Sequence, residues 1–213
     1  SFPPLPDHLL RLTRSLGMAQ EHAAWMTRFG RDAGPAPPDT GEIVVILETG
    51  RSARKVPGGP LGILPGLLHQ PSWTASATLL VDGVPLAPTV VLNDVETWAR
   101  ATLEERAGML LAKRAAILAG KEVIAEQVEK RNGEFWGDIT RILLLSLERP
   151  DLRCWRSLPQ TFQACRVRVK AGTHDLVLQS VDAEGRPTAE ALRFPGIEVR
   201  AGQVVVLVAR TVQ

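Results

Sequence analysis

From Cys165 to Val181 the chain reads CRVRVKAGTHDLVLQSV, with apolar and polar side chains alternating almost without fault until an Ala-Gly pair interrupts them. Successive side chains of a strand point to opposite faces, so a period of two on both sides of a turn marks paired strands with one buried face. Slipping the pairing by one residue would turn every apolar side chain into water. This stretch therefore commits the C-terminal part of the chain to a sheet.

Similar segments surround it. RCWRSL, QACRVRVKAG, HDLVLQSV, LRFPGIEVRAG and QVVVLVART all read as strands, with turns at Ala171-Gly172, Glu184-Gly185 and Ala201-Gly202, a spacing typical of an antiparallel sandwich. Upstream, EIVVILETG carries Ile43, Val44, Val45, Ile46 and Leu47 in succession and predicts a central strand buried on both faces. ATLLVDGVPLAPTVVLND predicts two strands around Asp82-Gly83, a short-hairpin signal.

From Asn93 the period changes to that of a helix. Asn93 or Asp94 is placed to cap it, Glu96 favours its positive end, and Val95, Trp98, Leu103, Leu110, Ile117, Ile124 and Val128 follow one drifting face. Asn132-Gly133 is a stop signal, and a second, very apolar helix runs through Phe135, Ile139, Ile142, Leu143 and Leu147 before Pro150. At the other end, LPDHLLRLTRSLGMAQEHAAWMTRFGRDAG predicts two helices about Gly17, an order similar to one tetratricopeptide unit. One such unit cannot bury its own apolar face, so it either ends a longer array or packs on the rest of the chain.

The expected fold class is thus α+β: residues 1–34 form a helical hairpin, tetratricopeptide-like and ending a repeat array. Residues 35–213 form an antiparallel sandwich-like domain with a helical insertion at 94–148, the boundary falling in GPAPPDTG. Between the first two strand signals, RSARKVPGGPLGILPGLLHQPSW holds Leu61, Ile63, Leu64, Leu67 and Leu68 among its glycines and prolines. Five aliphatic residues in a loop either tuck into the core or present a greasy surface.

At 213 residues the chain is long enough for a proper core, and 25 Lys+Arg against 23 Asp+Glu leaves no basic field for nucleic acid. There is no tyrosine, and the five tryptophans are scattered, which argues against a stacking platform for single strands. No apolar run, the ILLLSL of Ile142–Leu147 included, approaches the roughly 20 residues needed to span a bilayer.

The sequence names no reaction. His174 follows a turn, Asp175 beside it points to the opposite face of a strand, and no nucleophile shares a catalytic spacing with it, so it reads as a structural residue of the sheet rim. His22 has Met18 and Met26 four residues away and no second ligand on its helix. LETGRSARK places a basic cluster after a strand but lacks the glycines and the Lys-Ser/Thr of a phosphate loop. The paired carboxylates Glu104-Glu105 and Glu126-Glu129 sit among arginines and lysines, as on a solvated helix face. No catalytic residue, metal site or cofactor is predicted.

Cys154 and Cys165 are equidistant from the centre of DLRCWRSLPQTFQACRVRV. A hairpin centred between Pro159 and Gln160 would set them opposite each other, close enough to bridge in an oxidising compartment; the alternative is two separate buried thiols.

EIVVILETG with a Pro-rich segment behind it, LNDVETWARATLEERAGMLLAKRAAI, and DLRCWRSLPQTFQACRVRVKAGTHDLVL together resemble an uncharacterised bacterial envelope lipoprotein family. Its members join tetratricopeptide-like repeats to a strand-rich C-terminal region. The positions that match its pattern are Arg153, Trp155, Leu158, Pro159, Ala171, Gly172 and Thr173. The resemblance implies a periplasmic, outer-membrane-associated protein, held to the membrane only through a lipid anchor outside this chain, with other cell-envelope proteins as partners and peptidoglycan nearby. It supplies no catalytic residue. Cysteine at both Cys154 and Cys165 departs from the family's usual pattern, which favours the bridge.

The function expected on these grounds is a non-enzymatic interaction or scaffold module. Its contact regions would be the face around Trp25 and Met26 and the apolar loop with Leu61, Ile63, Leu64, Leu67 and Leu68. A glycan- or peptidoglycan-binding module using exposed Trp73, Trp136 or Trp155 is one rival; an enzyme with dispersed active-site residues is another.

Overall fold

A computed structural model describes residues 5–34, 37–59, 62, 64–146 and 149–211; Leu61, Ile63 and Leu147 lie outside the described residues. The fold is mixed α+β. The chain forms two compact units, one made of residues 1–51, 71–94 and 159–213, the other of 52–70 and 95–158.

The first unit holds two four-stranded sheets. One has the order β10-β1-β7-β6 and the other β5-β4-β8-β9, from β1 (Thr40–Thr49), β4 (Ser76–Val81), β5 (Val84–Pro88), β6 (Val90–Asp94), β7 (Thr161–Lys170), β8 (Gly172–Val181), β9 (Pro187–Val199) and β10 (Val204–Arg210). A single apolar cluster draws on both: Ile43, Val45, Leu47, Cys165 and Val167 from the first, Leu79, Val81, Leu176 and Leu178 from the second. Each buried Leu or Ile of this cluster contributes about 1.5–3 kcal/mol relative to an exposed one.

Alternation sets the register. Cys165, Val167 and Val169 face the cluster while Arg166 and Arg168 point the other way; Leu176 and Leu178 do the same for β8. β1 is central, as its sequence predicts, between β10 and β7. It is not buried equally on both faces, however: Ile43, Val45 and Leu47 are fully enclosed, whereas Val44 and Ile46 are half-buried.

Three further expectations are corrected. First, β10 runs parallel to β1, with Val44 opposite Val206 and Ile46 opposite Val208, so the first sheet is mixed and not antiparallel throughout. The Ala201-Gly202 turn does reverse the chain, with Gly202 at φ 72°, but it carries the chain from one sheet to the other instead of closing a hairpin. Second, the segment after Asp82-Gly83 makes two strands, β5 and β6, in different sheets. Pro88 has no N–H for a ladder, and buried Thr89 at the crossing gives its hydroxyl to Gln163. Third, RCWRSL is not a strand: residues 151–160 form turns and irregular backbone, and β7 begins only at Thr161. The Asp82-Gly83 turn itself is as expected, both residues having positive φ (51° and 80°) as a two-residue type I′ hairpin requires.

The same unit contains the predicted helical hairpin, α1 (Leu5–Ser15) and α2 (Ala19–Phe29), with Gly17 at φ 67° in the turn. Arg14 pairs with Asp32, and Arg31 with Asp7 at 2.8 Å, tying the segment after α2 back to α1.

The second unit is α3 (Val95–Asn132) and α4 (Glu134–Ser146), which pack against each other, and a two-stranded ribbon of β2 (Arg54–Gly58) and β3 (Leu64–Leu68). Ala125 is buried, and Gly137 lies so close to Glu129 that a Cβ there would meet its side chain at 2.7 Å. Small residues thus let the two helices approach. At the start of α3 the Glu96 carboxylate is buried, held by Arg100 at 2.6 Å and His69 Nδ1 at 2.8 Å. No described helix is long and apolar enough to cross a membrane.

Candidate functional site

The first unit has a cleft of about 410 Å³, lined by α1, the start of β1, β7 and the turn before β10. Arg11 and Arg14 are three apart on α1 and share a helix face. Arg166 and Arg168 are two apart on β7 and share the strand face opposite the core. His8 joins them from α1, and Glu42 is the only carboxylate among the described lining residues.

Glu42 lies across the ladder from Arg168, accepts a hydrogen bond from Arg168 at 2.7 Å and pairs with Arg166. Burial pushes its carboxyl pKa up, but the two guanidinium hydrogen bonds outweigh that and the net shift is downward. The His8 pKa is lowered, first by burial and then by the Arg166 charge. Arg168 Nε is buried and makes no hydrogen bond among the described residues. The mouth is shaped by Gly41 and Gly202; a Cβ on Gly41 would sit 2.5 Å from Val199 Cγ1 and 2.6 Å from the Arg200 carbonyl oxygen.

None of these residues was singled out by sequence reasoning as a site. The available signal was RVRVK: two arginines on the outer face of a strand whose other face is core, a position where any polar residue would satisfy the pattern.

His174 is enclosed by hydrogen bonds on both ring nitrogens, Nδ1 to Asp82 Oδ2 at 2.7 Å and Nε2 to the Lys170 carbonyl at 2.9 Å. Donation from both nitrogens requires the imidazolium, and its pKa is raised, chiefly by Asp82 and then by the Lys170 carbonyl. A ring so occupied has no free nitrogen to take a proton from a substrate. Asp82 also accepts the Asp175 backbone N–H at 2.9 Å, so the pair clamps the β4–β5 turn to β8. Among the described residues no group of three or more His, Cys, Asp or Glu is placed to hold a metal.

Of the predicted contact residues, Trp25 is half-buried, stacked on Phe29 at 5.4 Å with Arg28 over its ring, and Met26 is exposed. Leu64 and Leu67 are half-buried in β3 and Leu68 is exposed. The hairpin that would oppose the two cysteines does not form. Cys165 pairs across the ladder with Val45, Cys154 lies in the irregular 151–160 segment, and both thiols are free. Burial pushes the Cys165 pKa up to about 11.

The second unit carries a different surface. Of the 38 residues of α3 only Glu96 and Ala125 are buried, and Trp98, Met109, Leu111, Val123 and Ile124 are exposed, Trp98 and Met109 by about two thirds. α4 adds exposed Phe135, Trp136, Ile142 and Leu143.

No protein-family model, curated protein or solved structure matches this chain. Its functional reading rests on the two surfaces just described.

Proposed function

We propose that the chain is a non-enzymatic protein-interaction module of a bacterial cell-envelope lipoprotein, periplasmic and associated with the outer membrane, with other envelope proteins as partners. The envelope setting rests on the lipoprotein resemblance, and within it the two facing sheets act as a sandwich-like base and α1–α2 as the end of a tetratricopeptide-like array. The observation that carries the interaction role is the α3–α4 hairpin. Its apolar residues occur on all sides of α3, yet α4 and β3 cover only part of it. Exposed apolar surface on this scale is costly in water and is characteristic of surfaces that meet another protein.

Photo-crosslinking in intact cells tests this directly. A photoreactive residue at Trp98, Met109 or Phe135 should give discrete protein adducts that a probe at Glu184, in an exposed turn of the first unit, does not give. Adducts no more abundant than those from Glu184 would refute the role.

One observation favours a second reading. Trp73, Trp136 and Trp155 are exposed by 81, 54 and 75%, which suits rings that stack on sugar faces. Retention of the protein on isolated peptidoglycan, lost on changing Trp155 to alanine, would move the assignment to glycan binding.

A further inference from the structure

The cationic cleft of the first unit shares no residue with the α3–α4 surface. Four arginines line it against one glutamate. Arg14 is neutralised by Asp32, and Asp7, which borders the same arginines, by Arg31 at 2.8 Å; this leaves Arg11, Arg166 and Arg168 against Glu42, an excess of two positive charges enclosed with the partly buried His8. Clustering guanidinium groups in excess of their counter-charge opposes folding by like-charge repulsion. The orphaned donor at Arg168 Nε adds to that cost, because a buried N–H without a partner is ordinarily a group awaiting one.

The donors also come from two walls. Arg11 approaches from α1, with its Nε fixed to the Gly34 carbonyl at 3.1 Å, while Arg166 and Arg168 approach from β7, each held by Glu42. A guanidinium has five N–H donors, so each keeps several after these contacts. A planar carboxylate is satisfied by donors in one plane; the tetrahedral oxygens of a phosphoryl group accept from several directions at once. A phosphomonoester also carries close to two negative charges at neutral pH, matching the local excess. The cleft is much larger than phosphate alone and is of small-molecule size, with Leu12 and Val204 on its lining for the carbon skeleton of a carrier.

We propose that this cleft binds a phosphomonoester, its phosphoryl oxygens held between Arg11 on α1 and Arg166 and Arg168 on β7, and its organic part lying against Leu12 and Val204. Such a group is found on soluble esters and on lipid headgroups alike, and the experiment separates them.

The full chain is titrated calorimetrically at low ionic strength with inorganic phosphate, glycerol 3-phosphate and acetate, and tested for retention on phosphatidylcholine vesicles with and without phosphatidic acid. Saturable binding is expected for phosphate and more tightly for glycerol 3-phosphate, with acetate weaker than either. Arg11→Gln should weaken both phosphate ligands about ten- to a hundredfold, the range for losing one charge-assisted hydrogen bond. Arg186→Gln, which removes an exposed arginine that pairs with Asp182 and Glu184, should leave them within about twofold. Arg168→Gln is the second cleft variant, read only if its circular dichroism and melting curve match those of the parent; Arg11, on the helix surface, keeps the test decisive if it unfolds.

Soluble binding together with vesicle retention that Arg11→Gln abolishes assigns the headgroup source; soluble binding alone assigns a free ester. The proposal is overturned by no saturable binding of either phosphate ligand, by acetate binding as tightly as phosphate, by equal losses in Arg11→Gln and Arg186→Gln, or by vesicle retention without soluble binding.

Discussion

Gln163 is fully buried, yet it is polar, and its place in the first unit makes a sharp prediction. Its Oε1 accepts the Thr89 hydroxyl at 2.6 Å, and its Nε2 donates to the Ala75 carbonyl at 2.8 Å and to Thr161 Oγ1 at 3.0 Å. Thr89 Oγ1 in turn accepts the Ala77 backbone N–H at 2.9 Å. One amide thus joins β7 of one sheet to the β4 end of the other. Gln163→Leu keeps a side chain of similar bulk but leaves the Thr89 hydroxyl and the Ala75 carbonyl without their partner. Two buried orphans cost about 1–3 kcal/mol each, or about 2–6 together. Burying leucine instead of an amide returns about 1.5–3 kcal/mol at most. At the midpoints, about 4 against about 2 kcal/mol, the orphan term wins, and the net loss should be about 2 kcal/mol. Urea denaturation followed by circular dichroism gives the number. A Thr89→Val partner in a double-mutant cycle should show coupling above about 0.5 kcal/mol, since the two side chains share one hydrogen bond. A Gln163→Leu variant within 0.5 kcal/mol of the parent, or more stable than it, would refute the argument that this network ties the sheets.

Four further outcomes follow from other residues. Because the His174 pKa is raised in the folded state, its contribution to stability is complete below its unfolded value, near 6.5, and is lost as pH rises through the folded value. The urea midpoint of the parent should therefore exceed that of His174→Gln most below about pH 6.5, and the difference should shrink as pH rises above that; a pH-independent difference would contradict this. Gly41→Ala should destabilise by about 1–3 kcal/mol, because its Cβ meets backbone and Val199 that cannot both retreat, and thermal melting checks it. A colorimetric thiol reagent at pH 8 should label one cysteine in the folded protein, half-exposed Cys154, and both after denaturation, since the buried Cys165 thiol with a pKa of about 11 stays protonated; no thiol in either state would restore the disulfide. Leu64→Ser with Leu67→Ser removes two half-buried side chains from β3 and should lower stability by about 1–3 kcal/mol, measured by melting of the purified variant.

The parts of the fold legible in the sequence are those that short-range chemistry dictates. Asp82-Gly83 announces its own turn because two consecutive positive φ values suit few residue pairs, and the alternation of Cys165–Val169 is visible because the core accepts only one parity. The ends of α3 are marked by Asp94 before it and Gly133, at φ 96°, after it. Pairing partners are a different matter. Period two says that QVVVLVART is a strand and nothing about its lying parallel to β1, and Ala201-Gly202 says that the chain turns but not into which sheet. RCWRSL has strand composition, yet the Asp151 carboxylate holds Arg153 and Trp155 Nε1 donates to Ser157, local contacts that compete with a ladder. The cleft is illegible in the sequence for the same reason: Arg11, Glu42 and Arg166 are far apart in the chain and meet only through the fold.

The parallel partnership of β1 and β10 bears on how such a chain comes to fold. β1 ends at Thr49 and β10 begins at Val204, with roughly 150 residues between them, and the other neighbour of β1, β7, is more than 100 residues away. Every ladder on the central strand thus closes a long loop before it gains any burial, the arrangement that makes folding slow. On a ribosome, α3 and α4 emerge and pair early, through contacts close in sequence, while Ile43, Val45 and Leu47 wait uncovered for strands still to be synthesised. During that interval β1 is an unpaired, strongly apolar strand, and what protects it then governs how much chain reaches the native state.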